Sequence, residues 1–307
     1  MLRVATSQLY RQAGNAIGDR QTAVSKLQQQ LTTGKRLLEP ADDPVGSARL
    51  MTLNGEMGRY DQYQRNIDSA TGRLNTEESA LGDAGDVLQR ARVLTIQANN
   101  DTLNAENRGH IAAEIRQLHA QLVSLGNAQD GSGEYLFGGF QSQTAPFAPD
   151  SANPQQIAYR GDGGQRLAQT GPTSTLAVGD PGNEVFQVDS ADPTKGLFAT
   201  LDRLATTLET APATLHADLG TALQEIDSGL DNLNGIQAKV GVRLQALENQ
   251  GYTNSDFSLH LQQTISEVGD LDYAEAITQL SRETLGLQVA QQSFMRVQNL
   301  SLFNYMN

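Results

Sequence analysis

Histidines, paired acids and glycine-rich turns are the places where this chain could do chemistry. His110, His119, His216 and His260 show no HExxH or comparable separation, so they do not converge as metal ligands on one helix face. His119 follows Leu118 on a helix flank, where its plain reading is a solvent-exposed or hydrogen-bonded side chain. Gly161-Asp162-Gly163-Gly164 is glycine-rich like a phosphate-cradling loop. It lacks the GxGxxG and Walker spacings and a helix directly after it, so a hairpin turn is the better reading. Asp42-Asp43 could act as a carboxylate pair for acid–base work or for a cation. Standing directly before Pro44, they read instead as cap and hinge. Asp43 can accept a hydrogen bond from a free backbone N–H, and a proline at the first helical position gives up an N–H that would be unpaired anyway. There is no GxSxG, no other nucleophile arrangement and no cysteine, which leaves thiolate chemistry and disulfides out. No catalytic, metal or cofactor-binding residue is therefore expected, and the protein is read as not an enzyme.

Charge and hydropathy narrow the partners. The 307 residues carry a formal net charge of -13, whereas nucleic-acid binding needs clustered Lys and Arg to release counterions; no nucleic-acid partner is expected. No window approaches the roughly 18 uninterrupted apolar residues of a spanning helix, and the segment 1–15 lacks the apolar run of a secretory signal. Membrane insertion is not expected, and composition alone would suggest the cytoplasm. The charge is uneven, net +3 over residues 1–50 and net -2 over 269–307, a mild complementarity between the two ends.

Long helices must carry these residues. Tyr60, Ile67, Leu74, Leu81, Leu88 and Thr95 recur every seven residues, with Tyr63, Ala70, Glu77, Ala84, Ala91 and Ala98 three places after each. Seven residues are close to two helical turns, so both series share one face and predict a long helix with a packing seam, part of a rod. Glu77 breaks the alanine series and is expected to be solvated. A further seam runs through Leu9, Ala13, Ile17, Arg20, Val24, Leu27 and Leu31. Gly14 and Gly18 interrupt it, each costing about 1 kcal/mol relative to alanine in a helix interior. Gly34 is the stop signal. A third helix from about Asn104 presents Ile111, Ile115, Leu118, Leu122 and Leu125, and folds back on the second as a helical hairpin.

The segment 131–196 holds 11 of the 29 glycines and six of the nine prolines, which is incompatible with continued helix. It reads as an inserted β-rich module, with a hairpin at residues 159–165 and strands in 134–140 and 184–188. Helical spacing returns with Leu197, Leu201, Leu204 and Leu208, then with a longer face from Leu215 to Leu247; residues 251–256 weaken it, and Leu259, Gln262 and Ile265 resume the spacing beyond them. Asp272 and Glu275 resemble a capping box opening the last helix. Its face includes Ile277, Leu280, Leu287, Phe294 and Val297, and apolar residues persist to Leu302 and Phe303. Chain ends this apolar are expected to be covered by another molecule. We therefore assign self-assembly to Leu9, Ile17, Val24, Leu27, Leu31, Ile277, Leu280, Leu287, Phe294, Val297, Leu302 and Phe303. The fold class expected is mainly α: a long antiparallel helical bundle or coiled-coil rod formed by the N- and C-terminal segments, with an inserted small β-rich domain. The boundaries are 1–43 with 269–307 for the terminal assembly domain, 44–130 with 197–268 for the helical rod, and 131–196 for the insert.

Residues 26–48, beginning KLQQQLTTGKRLLEPADDPVG, and 66–100 closely resemble the N-terminal region of bacterial flagellins, and 272–307 resembles their C-terminal region. Within that superfamily the likeness is to the flagellin-like hook-associated proteins of the hook-filament junction. It is carried by Asp42-Asp43-Pro44-Val45-Gly46, by Glu134 to Phe140 before Pro146-Phe147, by residues 159–166 and by the ending Leu300 to Tyr305. The resemblance implies paired terminal helices lining a tube, the β module pointing outward, and export through the flagellar type III apparatus without a cleaved signal peptide. Its implied partners are further copies of the same chain, a hook-side hook-associated protein, flagellin and a flagellar export chaperone, on the extracellular flagellum. Two other readings stay open: a short flagellin, and a cytoplasmic helical scaffold.

Overall fold

The computed structural model describes residues 2–100, 103–151, 153, 155–189 and 192–303, without the side chains of 2–7, 9 and 297–303. The helices are α1 (Leu2–Thr33), α2 (Pro44–Ala98), α3 (Ala105–Gly126), α4 (Gly182–Val185), α5 (Leu197–Thr210), α6 (Leu215–Gly269) and α7 (Tyr273–Phe303). Four three-residue strands, β1 (Phe147–Pro149), β2 (Ile157–Tyr159), β3 (Leu167–Gln169) and β4 (Thr175–Ala177), complete it. The fold is mainly α with a small β insert. Two compact units result, a central one of residues 60–256 and a terminal one of residues 1–59 and 257–307.

In the central unit the seven-residue seam of α2 is its core. Ile67, Leu74, Leu81, Leu88, Ala70, Ala84, Ala91 and Ala98 are all buried. α6 lies antiparallel to α2, as Arg92 pairs with Asp227 at 2.6 Å while, further back along α2, Gly82 lies beside Gln237 and Gln64 beside Gly251. Leu219, Ala222, Ile226, Leu233, Ile236, Val240 and Leu247 supply the facing layer. Alternating large and small side chains let the two helices approach closely, and each fully buried leucine contributes about 1.5–3 kcal/mol. α6 runs unbroken through 251–256.

Asn104 caps α3, its side chain accepting from the Asn107 N–H. All four leucines of the α5 face are buried, and Arg116 on α3 donates to Glu209 through Nε and Nη2, each at 2.8 Å. Below them sits an aromatic cluster. Phe147 lies 4.8 Å from Phe198 and 5.2 Å from Phe186, ring centre to ring centre, so the start of the insert is tied to α5.

The insert differs from expectation in three ways. β1 pairs with β2 and β3 with β4, both antiparallel, as separate two-stranded sheets. Residues 159–165 are therefore the connection between two hairpins rather than the turn of one. Asp162 explains this: its Oδ1 accepts from the Phe140 and Gly164 N–H groups and its carbonyl from the Tyr159 hydroxyl. These bonds turn the chain toward the 138–140 loop, away from β2. Residues 134–140 form turns apart from a single bridge between Gln129 and Tyr135, and 184–188 begins inside the short helix α4. Glu77 is the other correction. It is not solvated but fully buried.

Candidate assembly interface

The terminal unit is built on α1 and α7, which run antiparallel: Tyr10 meets the Phe294 ring edge-on at 5.9 Å, Arg20 pairs with Glu283 at 2.7 Å, and Lys35 pairs with Asp270 at 2.7 Å. The Arg20 guanidinium lies over Gly286, where an added Cβ would stand 2.5 Å from Nη1. Gly34 ends α1 in the left-handed region, φ +68, and lets its N–H reach the Gln30 carbonyl at 2.8 Å. That stop is a C-cap only glycine adopts freely. The chain then makes a short ladder with the end of α6, the Arg36 N–H donating to the Gly269 carbonyl and the Leu271 N–H to the Gly34 carbonyl.

Asp42 and Asp43 hold this turn. Asp43 Oδ1 accepts from the Gly46 N–H at 2.9 Å at the start of α2, and that bond holds its carboxyl below the usual range. Asp42 accepts from the Leu38 and Glu39 N–H groups and from the Lys26 ammonium, which lowers its pKa. Pro44 is the first residue of α2. Asp272 Oδ1 accepts from the Ala274 and Glu275 N–H groups and so opens α7.

Along this helix pair Ile17, Val24, Leu27, Leu31, Leu280, Leu287 and Phe294 are half-buried. Ile277 is 54% exposed. The side chains of Leu9, Val297, Leu302 and Phe303 lie outside the described residues. The spacing at residues 277–297 left out further apolar side chains of α7 that stay exposed. Tyr273, Leu285, Val289 and Met295 are more than half exposed, with Val45 and Met51 on α2. Among the described residues Ala276 is the only hydrophobic side chain of this unit that is fully buried. The terminal unit thus sets an apolar surface over a shallow core.

A groove of about 800 Å³ lined by Asn66, Arg73, Asp130, Glu134 and Arg166 holds both arginines paired with acids. His119 is half-buried edge-on to Phe198 at 6.3 Å, not on an open flank, and burial lowers its pKa.

Residues 4–142 match the model of the bacterial flagellin N-terminal helical region. Flagellar hook-associated protein 3 of Escherichia coli strain K12 is 29% identical over 318 aligned residues, covering 98% of this chain and 99% of that protein. The chain is thus similar to the flagellin N-terminal region over residues 4–142 and to a hook-associated protein over nearly its whole length. Two solved structures share its fold. A putative flagellar hook-associated protein from Vibrio parahaemolyticus aligns with TM-score 0.68 and 23% identity over 75% of this chain and all of that one. The flagellar junction protein FlgL from Legionella pneumophila aligns with TM-score 0.60 and 21% identity over 72% of this chain and all of that one.

Proposed function

We propose that this chain is a structural adaptor of the bacterial flagellum, polymerising head to tail at the junction between hook and filament. The observation that carries this reading is the end-to-end likeness to hook-associated protein 3, which leaves 2% of the chain unmatched. The described part of the terminal unit supports it physically: an apolar surface spread along α7 and the start of α2 gains most by being covered. Contacts of this kind are heterologous and need not close into a dimer.

In this reading Leu9, Ile17, Val24, Leu27, Leu31, Ile277, Leu280, Leu287, Phe294, Val297, Leu302 and Phe303 become buried on assembly, and Asp42, Asp43 and Pro44 set the turn into α2. Residues 1–43 with 269–307 assemble, 44–130 with 197–268 carry the rod, and 131–196 is displayed outward. The chain acts outside the cell, escorted to export by a chaperone, with hook-side protein and flagellin as neighbours. It performs no catalysis. Immunogold labelling of intact appendages tests the reading. A single band at the boundary of hook and filament is expected; uniform labelling along the filament would make the chain a filament subunit instead.

A further inference from the structure

Glu77 has no place in the assembly surface, and its surroundings are unlike those of any other described carboxylate in the chain. It sits on the buried seam of α2 at 0% exposure. Its Oε1 accepts from the Asp180 backbone N–H at 3.0 Å, reaching across 103 residues to the segment after β4. Its Oε2 is buried and has no hydrogen-bond partner. The nearest charges come from three elements. Asp180, on the segment itself, is held by both terminal nitrogens of Arg243 on α6, at 2.7 and 2.9 Å, and receives the Gln165 side-chain amide. Arg73, one turn before Glu77 on α2, is spent on the Val178, Tyr135 and Leu136 carbonyls and on Asp130, with Glu134 at 3.8 Å.

Glu77 and Asp180 are thus two buried carboxyls that share one cation, and that cation is already committed to Asp180. An ionised Glu77 would add an unpaired charge to a site closed to water, which is among the costliest arrangements in a protein interior. We propose that Glu77, Asp180 and Arg243 form a proton-gated latch: a protonated Glu77 clamps the segment 178–182 to α2 and α6, and loss of the proton releases it. The Glu77 carboxyl is pushed up to about 8, first by burial and then by the Asp180 charge. A group whose pKa is raised on folding supports the closed form fully below its unfolded pKa, and that support is lost as pH rises through the folded value. The latch is therefore tightest in acid, loosens as pH rises toward neutrality and has lost this support above about pH 8. It lies wholly in the central unit and is independent of which molecule covers the terminal one.

Hydrogen exchange on the full chain, corrected for the intrinsic rate at each pH, tests it. Opening of 178–182 is expected to rise by up to about tenfold per pH unit, the limit for one linked proton, and to level off above about pH 8. Glu77→Gln, which keeps the acceptor for the Asp180 N–H and cannot ionise, should leave opening flat over the same range. A flat wild type, or an E77Q chain that still opens with pH, overturns the latch. Infrared difference spectra of wild type against E77Q at neutral pH should show one protonated carboxyl band, and its absence also overturns it. Should E77Q not fold, Asp180→Asn decides the matter. With the neighbouring charge removed and Arg243 freed, the midpoint must move to lower pH, and an unmoved midpoint refutes the proposal.

Discussion

The central and terminal units use the same seven-residue grammar and reach opposite results. In the central unit the seam is closed: leucines of α2 and α6 interlock over alanines and almost nothing apolar on that face meets water. In the terminal unit the same kind of seam leaves its leucines half-buried, and further apolar side chains stand open on α7. The difference lies in the number of layers. α2 and α6 are covered further by α3, α5 and the insert, whereas among the described residues α1 and α7 have chiefly each other. A helix pair alone can bury only one stripe of each member. The lesson is that a heptad seam fixes which residues share a face and leaves open whether one molecule suffices to cover it.

The sharpest break of this comparison is deletion of residues 1–31. Sedimentation and electron microscopy should show complete loss of assembly, while the main thermal transition, which comes from the central core, survives. A truncated chain that still assembles would mean the terminal surface is not the one that matters. Next in size, Leu74→Ala in the closed seam should cost about 3 kcal/mol in urea unfolding, the transfer and cavity terms together. Leu287→Ala in the open pair should cost about 1 kcal/mol in the monomer, within the range of an ordinary substitution. Equal losses at the two positions would erase the distinction between the units.

Glycines sharpen it in the other direction. Gly14 and Gly18 have open space where a Cβ would stand, so Gly14→Ala and Gly18→Ala should each stabilise α1 by about 1 kcal/mol, read as added helix signal in circular dichroism. Gly286→Ala should displace the Arg20 guanidinium, the flexible end of that side chain, and so disturb its pair with Glu283 at little cost in stability. The smallest effect is in pH. Hydrogen bonds hold Asp42, Asp43 and Asp270 below the ordinary carboxylate range. Their support is present above the unfolded carboxylate pKa and fades as pH falls through the folded values, so the turn between α1 and α2 should loosen in acid, whereas the Glu77 site loosens as pH rises toward about 8. Exchange at residues 34–46 followed from pH 6 to pH 3 checks the sign.

Much of the helical architecture was legible in the chain because its causes are local. The break at Gly34, the Asp272 cap, the Asn104 start and the long faces of α2 and α6 all follow from backbone conformation, capping groups and a period of 3.6 residues. The insert was legible as a place where helix stops, but not as two hairpins. Three-residue strands carry almost no alternation to read, and their partners were chosen by Asp162, whose contacts reach back to Phe140. On α7 the exposed apolar side chains were hidden by the more regular face. Spacing selects the stripe that repeats, while Leu285, Val289 and Met295 are conspicuous only once α1 has packed against it.

The sequence by itself determined the helices, their seams, the glycine- and proline-rich interruption and the lack of a recognisable catalytic motif. Each of these depends on residues within a few turns of one another. Only the tertiary structure decided that Glu77 is buried against Asp180 rather than solvated, that residues 159–165 join two hairpins, and which apolar side chains of α7 stay open. Those outcomes turn on desolvation and on partners brought together from about 100 to about 260 residues away, and the free energy of a buried charge depends on what surrounds it, not on what precedes it in the chain.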